Sequence, residues 1–193
     1  QSRVPACTRE LWHAARYSGG MPAAEEQCAH TLLLIRPAAF GANPETAASN
    51  SFQSTGTPAT RHLVGRVAAE EFANCVRQLD EAGIDTVVVD DTPSPAKPDA
   101  IFPNNWLSTH ADGTVVLYPM MAPSRRLERR PEIVETVALE RGLAVKHVID
   151  LSRFEAQNRF LEGTGSLVLD RINRIAYACL SPRTDREALS EFG

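Results

Sequence analysis

Apolar positions first become regular at Thr31. In "TLLLIRP" four consecutive apolar residues are followed by Arg36 and Pro37, and a short apolar run closed by proline predicts a buried strand. A long polar loop comes next. From Leu63 to Leu79 the apolar residues return at helical spacing, with Val64, Val67, Ala68, Phe72, Cys75, Val76 and Leu79 on one predicted face. Gly83 ends that helix ahead of the strand "IDTVVVD", and the proline-rich "DDTPSPAKP" is a stiff connector.

The next segment repeats this order with one strand added. "AIFPNNWLSTH" and "TVVLYP" are predicted strands on either side of "ADG", where Asp112-Gly113 is a hairpin signal. "PEIVETVALERG" predicts a helix opened by Pro131 and closed by Gly142, and "LAVKHVI" predicts the strand after it. A third unit starts at "FLEGTGSLVLD", turns through "RINR", returns along "IAYACL" and enters a helix in "SPRTDREALSEF", where Thr184 and Glu187 have capping-box spacing. Strand, strand, helix, strand thus recurs about every 60 residues, a spacing that suggests a propeller-like or solenoid array. The last unit stops before its closing strand and no Met stands at position 1. The expectation is therefore an N-terminal fragment of a longer protein, against the alternative of a complete domain with a short final helix.

One stretch breaks the pattern. "PDAIFPNNW", Pro98 to Trp106, reads as a buried strand interrupted by Asn104 and Asn105. Asparagine side chains compete with the backbone ladder, so the pair costs stability unless it bonds something specific, either a turn or a ligand.

Composition narrows the classes. With 193 residues, 43% hydrophobic and 23% charged, collagen-like, coiled-coil and disordered chains are excluded. A net charge of -4 with pI near 5.8 offers no general attraction to nucleic acid or anionic lipid, and the one dense basic run, "SRRLERR" from Ser124 to Arg130, has no interleaved aromatics. No window approaches the roughly 18 apolar residues of a membrane span, and the first twenty residues lack the apolar core of a signal peptide. The expected compartment is the cytoplasm. Cys7, Cys28, Cys75 and Cys179 are widely spaced with no CxxC pair, which suits reduced thiols. Cys28 with His30 could begin a zinc site, but no second ligand pair follows, so no metal and no cofactor is expected.

From about Thr31 to Glu187 the chain resembles the guanidine-modifying, or pentein, superfamily, and most closely its arginine-deiminase-related, amidinotransferase-like group linked to citrulline utilisation. "IRPAAFGANPETAASNSFQ", "PDAIFPNNWLSTHADGTVVLYPMMAPSRRLERR" and "LEGTGSLVLDR" carry the resemblance through their order and spacing. Residues 1–30 look unrelated, an extension or poorly ordered segment ahead of a partial domain at 31–193. The resemblance implies an α/β propeller of five ββαβ modules around a polar site, of which about three fall in this chain. It also implies hydrolysis of a guanidino or ureido amino acid, such as arginine or citrulline, through a Cys-His-Glu mechanism. A guanidinium is a poor electrophile, so the chemistry needs a thiolate, fixation of charge and a proton donor for the leaving amine.

Matched residue by residue, Asp99 stands at a substrate-contacting Asp and Asn105 where the dimethylarginine-hydrolase branch has a guanidinium-binding Asp. That substitution removes a charge and suits a neutral ureido group. Arg125 and Arg183 match arginines that clamp the substrate carboxylate, which a planar guanidinium can hold bidentately. As residues read alone, Arg125 could be a solvated loop residue and Arg183 could neutralise the turn before the last helix. Glu162 matches the catalytic acid, and Gly165 stands where the branch has an Asp. The matching His and nucleophilic Cys positions fall outside the chain; His110 and His147 read as surface or structural residues and Cys179 as core. The implied partner is a small amino acid, with neither nucleic acid nor membrane, and the oligomeric state is left open. Two other outcomes remain at this point, a non-catalytic amino-acid-binding fragment and an amidinotransferase.

Overall fold

The computed structural model describes residues 12–16, 26–47, 58–142 and 144–193, with backbone alone for 12–16 and 58–62. Cys7 and most of "ETAASNSFQ" lie outside the described residues. In chain order the strands are β1 (Trp12–Arg16), β2 (Thr31–Arg36), β3 (Asp85–Asp90), β4 (Leu107–Thr109), β5 (Thr114–Leu117), β6 (His147–Asp150), β7 (Leu167–Asp170) and β8 (Ile175–Cys179). The helices are α1 (Pro44–Ala47), α2 (Pro58–Glu81), α3 (Pro123–Arg126), α4 (Pro131–Arg141), α5 (Gly163–Ser166) and α6 (Arg186–Phe192). The fold is mixed α/β, with three sheets among the described residues, β1-β8-β7, β2-β3 and β4-β5-β6. Two compact units divide the chain, one of residues 28–103 and 122–145, the other holding 104–121, 146–193 and the strand β1.

In the first unit β2 and β3 pair in parallel, from Thr31 opposite Asp85 to Arg36 opposite Asp90, as a strand-helix-strand crossover through α2 requires. Ile35 and Val87 are its buried anchors. The covered face of α2 differs from the predicted one. Gly65, Ala68, Phe72, Val76 and Leu79 are half-buried, whereas Val64, Val67 and Cys75 are exposed. The helix is rotated toward the residues nearest the sheet, and apolar character alone did not say which of two adjacent stripes faces it. The connector after β3 is closed by Lys97, a buried cation whose Nζ donates to Thr92 O at 3.0 Å, Thr92 Oγ1 at 2.7 Å and Pro95 O at 3.0 Å and pairs with Asp91 at 3.0 Å.

In the second unit β4 and β5 form the hairpin expected at Asp112-Gly113. Gly113 has φ 88°, which glycine reaches without a Cβ penalty, and Asp112 Oδ1 accepts the Thr114 N–H at 2.8 Å. β6 then lies parallel to β5. β7 and β8 pair antiparallel and β1 adds to the free side of β8, Trp12 opposite Cys179. Alternation sorts the β7–β8 faces: Leu167, Leu169, Ala176 and Ala178 are buried while Val168 and Tyr177 are exposed. The buried face forms one core with Leu189 and Phe192 of α6 and with Tyr118, whose ring lies 5.9 Å from that of Phe192.

Four local expectations are corrected. Residues 98–102 are turns and Pro103–Asn105 is a single 3-10 turn, so the strand begins only at Leu107. Prolines at 98 and 103 withhold ladder donors there. Gly163–Ser166 is one helical turn, so β7 starts at Leu167 and not at Phe160. β6 starts only at His147, not at the head of "LAVKHVI". Finally, α6 is capped by Asp185, whose Oδ1 accepts the N–H groups of Glu187 at 2.8 Å and Ala188 at 3.1 Å, while Thr184 is buried. An Asp one residue nearer the helix meets the orphan donors better than the predicted Thr184 box.

Candidate functional site

Asp99 and Arg125 belong to the first unit, Asn105, Glu162 and Arg183 to the second.

Around Asp99 the chain builds a closed polar junction. Asn43 is 2% exposed, and its amide meets three groups: Nδ2 donates to Asp99 Oδ2 at 2.8 Å and to Ser124 Oγ at 3.1 Å, while Oδ1 accepts the Glu45 N–H at 3.1 Å. Glu45 in turn accepts the Ser124 N–H at 2.8 Å, and the Ser124 hydrogen bonds hold its carboxyl below the usual range. Arg125, expected to grip a substrate carboxylate, is 5% exposed. Its guanidinium lies fork to fork on Glu128, Nε to Oε1 at 3.0 Å and Nη2 to Oε2 at 2.9 Å, with Asp99 Oδ2 at 3.8 Å from Nε. Nη2 also donates to the carbonyls of Asp99 at 3.5 Å and Phe102 at 3.4 Å, so Arg125 ties α3 to the turn that carries Asp99. Burial pushes the Glu128 carboxyl up to about 7, against the pull of Arg125.

In the second unit Glu162 stands immediately before α5 and is 2% exposed. Oε1 accepts the Met121 N–H at 3.0 Å and Oε2 lies 3.4 Å from Arg183 Nη1. Ser166 holds the backbone around it, Oγ accepting the Glu162 N–H at 3.0 Å and donating to Arg183 O at 2.7 Å. A buried carboxylate with one backbone donor and one guanidinium is charge-paired but not saturated, since an ionised carboxylate offers about four lone-pair sites.

The asparagine segment packs against the two glycines that follow Glu162. A Cβ on Gly163, whose φ is 37°, would lie 2.3 Å from Asn104 O and 3.0 Å from Asn105 O. A Cβ on Gly165 would lie 2.9 Å from Asn105 Nδ2 and 3.6 Å from Glu162 Cβ. Asn104 Nδ2 also donates to Thr164 Oγ1. The glycines are thus required by close approach of the 104–105 segment, and Gly165, noted as a departure, is where the Asn105 amide lies. Asn105 and Glu162 therefore lie close together around Gly165, and Arg183 engages Glu162.

The reading of the sequence missed Asn43 and Glu128. Asn43 had a local signal, Asn-Pro-Glu-Thr being a helix-start pattern; Glu128 had its spacing of three from Arg125 on a helical turn. His110 is buried, its Nε2 3.1 Å from Ser108 Oγ, which lies 2.8 Å from Tyr118 Oη. His147 is exposed on β6. Cys28 and Cys75 are exposed and Cys179 is half-buried. Among the described residues no three His, Cys, Asp or Glu side chains gather as a metal site, and no helix is long and apolar enough to cross a membrane.

The family comparison gives the class of the chain, the arginine-modifying hydrolases of pentein type. Residues 36–193 match the family described as N,N dimethylarginine dimethylhydrolase, eukaryotic, and the chain belongs to this family. Neither a curated protein nor a solved structure matches it.

Proposed function

We propose that the chain supplies the acid and substrate contacts of a hydrolase that cleaves the guanidino or ureido group of an arginine-derived amino acid, within the citrulline-utilisation group of the pentein superfamily. Glu162 is the carboxylate that holds the reacting group and pairs with a histidine; Asn105 contacts the same end of the substrate. By the resemblance Asp99 contacts the substrate and Arg125 and Arg183 are its carboxylate-binding arginines; in this chain Arg125 acts by fixing the Asp99 turn and Arg183 pairs with Glu162. The thiolate attacks the guanidino or ureido carbon and the leaving amine takes its proton from the histidine. Neither group is identified among the cysteines and histidines of these 193 residues.

The observation that carries the reading is the buried Glu162 carboxylate, held by Met121 and Arg183, with the Asn105 amide packed on Gly165 close to the Glu162 side chain. An acid kept at that depth beside a neutral amide suits a planar, nitrogen-rich group. The test is Glu162→Gln in the complete enzyme, with N,N-dimethyl-L-arginine, L-arginine and L-citrulline as substrates. Turnover is expected to be lost while the melting temperature holds. Turnover within about tenfold of the parent, a barrier change of about 1.4 kcal/mol, would remove Glu162 from the chemistry, and binding without turnover in the parent would favour an amino-acid-binding protein.

A further inference from the structure

Strand β6 closes one side of its sheet. β5 lies on its inner side, and among the described residues no strand pairs with its outer side. All four of its residues are exposed, with Val148 at 56% and Ile149 at 40%, and Lys146 just before it is exposed too. In a parallel pair, successive residues turn their backbone groups alternately toward and away from the neighbouring strand. The Leu151 N–H donates to Leu117 O at 2.9 Å, which sets the phase: His147 and Ile149 face β5, and Val148 and Asp150 face outward. An exposed edge with outward backbone donors is a template for another strand.

We propose that two copies of this chain pair through β6, antiparallel about a two-fold axis at Val148, so that two three-stranded sheets join into one. A two-fold axis normal to the sheet keeps each side chain on its own face, so the axis must pass through a residue and not between two. Centring on Val148 places Lys146 opposite the partner's Asp150, and symmetry repeats the pair. Val148 then exchanges both backbone hydrogen bonds with the partner's Val148, and the Asp150 N–H reaches the carbonyl of the partner's Lys146. The neighbouring register, centred on Ile149, sets Asp150 against the partner's Val148 and forms no charge pair. Cross-strand pairs of opposite charge favour one register over another, and here the complement of the edge is the edge itself. That selects a second copy as the occupant.

Sedimentation of the chain over roughly 1 to 100 μM, the range of weak interfaces, is expected to show a reversible dimer of the 21.1 kDa chain. Lys146→Glu and Asp150→Lys should each weaken it about tenfold or more, since each replaces two attractive pairs by two repulsive ones, and the double reversal should restore it. Asp150 also accepts the Ser152 N–H at 2.8 Å, so melting is followed in every variant; Lys146→Glu, which has no such role, carries the result if Asp150→Lys fails to fold. Val148→Pro removes the central donor and should leave a folded monomer. A monomer at every concentration, open-ended aggregates, or a dimer indifferent to Lys146→Glu would overturn the proposal.

Discussion

Asn43 Nδ2 donates to Asp99 Oδ2 at 2.8 Å, joining residues 56 positions apart at a junction where each polar atom of the amide has a partner. The orientation of the amide follows from its neighbours. Turning it over would set Nδ2 against the Glu45 N–H and Oδ1 against the Asp99 carboxylate.

Asn43→Ala is therefore expected to lower stability by about 2 kcal/mol, because buried groups lose three hydrogen bonds at once. Asn43→Asp should cost more at pH 8 than at pH 5, since two carboxylates would then face each other across the former hydrogen bond. Urea unfolding at both pH values checks this. Equal costs at the two would mean that Asp99 does not meet residue 43.

Glu128 predicts a pH dependence. Its carboxyl is raised from 4.5 to about 7 in the folded chain, so the folded state holds this proton more tightly than the unfolded one. Stability from this group is fully present below about pH 4.5 and is lost as pH rises through about 7. The melting difference between the parent and Glu128→Gln should change between pH 5 and pH 8. A constant difference would show that Arg125 keeps Glu128 ionised throughout.

Two glycines with positive φ separate strain from collision. Gly142 ends α4 with φ 64° and open space around it, whereas Gly163 has φ 37° and Asn104 O only 2.3 Å from where a Cβ would stand. Gly142→Ala should cost about 1 kcal/mol. Gly163→Ala should cost about 3 kcal/mol or more, because the 104–105 backbone must also move. Similar losses in unfolding experiments would mean that the asparagine segment does not press on α5.

Asn105→Asp tests the substrate. In the complete enzyme the added carboxylate should shift the ratio of kcat/KM for L-arginine over L-citrulline toward arginine, by about tenfold for each 1.4 kcal/mol of new charge pairing. Steady-state kinetics on both substrates would read it. An unmoved ratio would mean that Asn105 is not in contact with the reacting group.

The sequence by itself determined the order of the longer strands and helices after Thr31, because that rests on local signals: the run at Leu32–Ile35, the Asp112-Gly113 hairpin, the Pro131 start and Gly142 stop of α4, and the "RINR" turn between the last two strands. The same segments carried the family resemblance, which named Asn105 and Glu162 as candidates at the reacting end. What tertiary structure decided was how far each signal reached. Whether Ile101 and Phe102 continued a strand depended on prolines and on the Asp99 turn being tied to Asn43 and Arg125. Which stripe of α2 was covered depended on where β3 lay. Arg125 read as a substrate-carboxylate clamp or as a solvated loop residue, and burial beside Glu128 makes it a strut. An ion pair between buried groups and an amide shared among three segments arise from distances between residues remote in the chain, which no spacing along the sequence expresses.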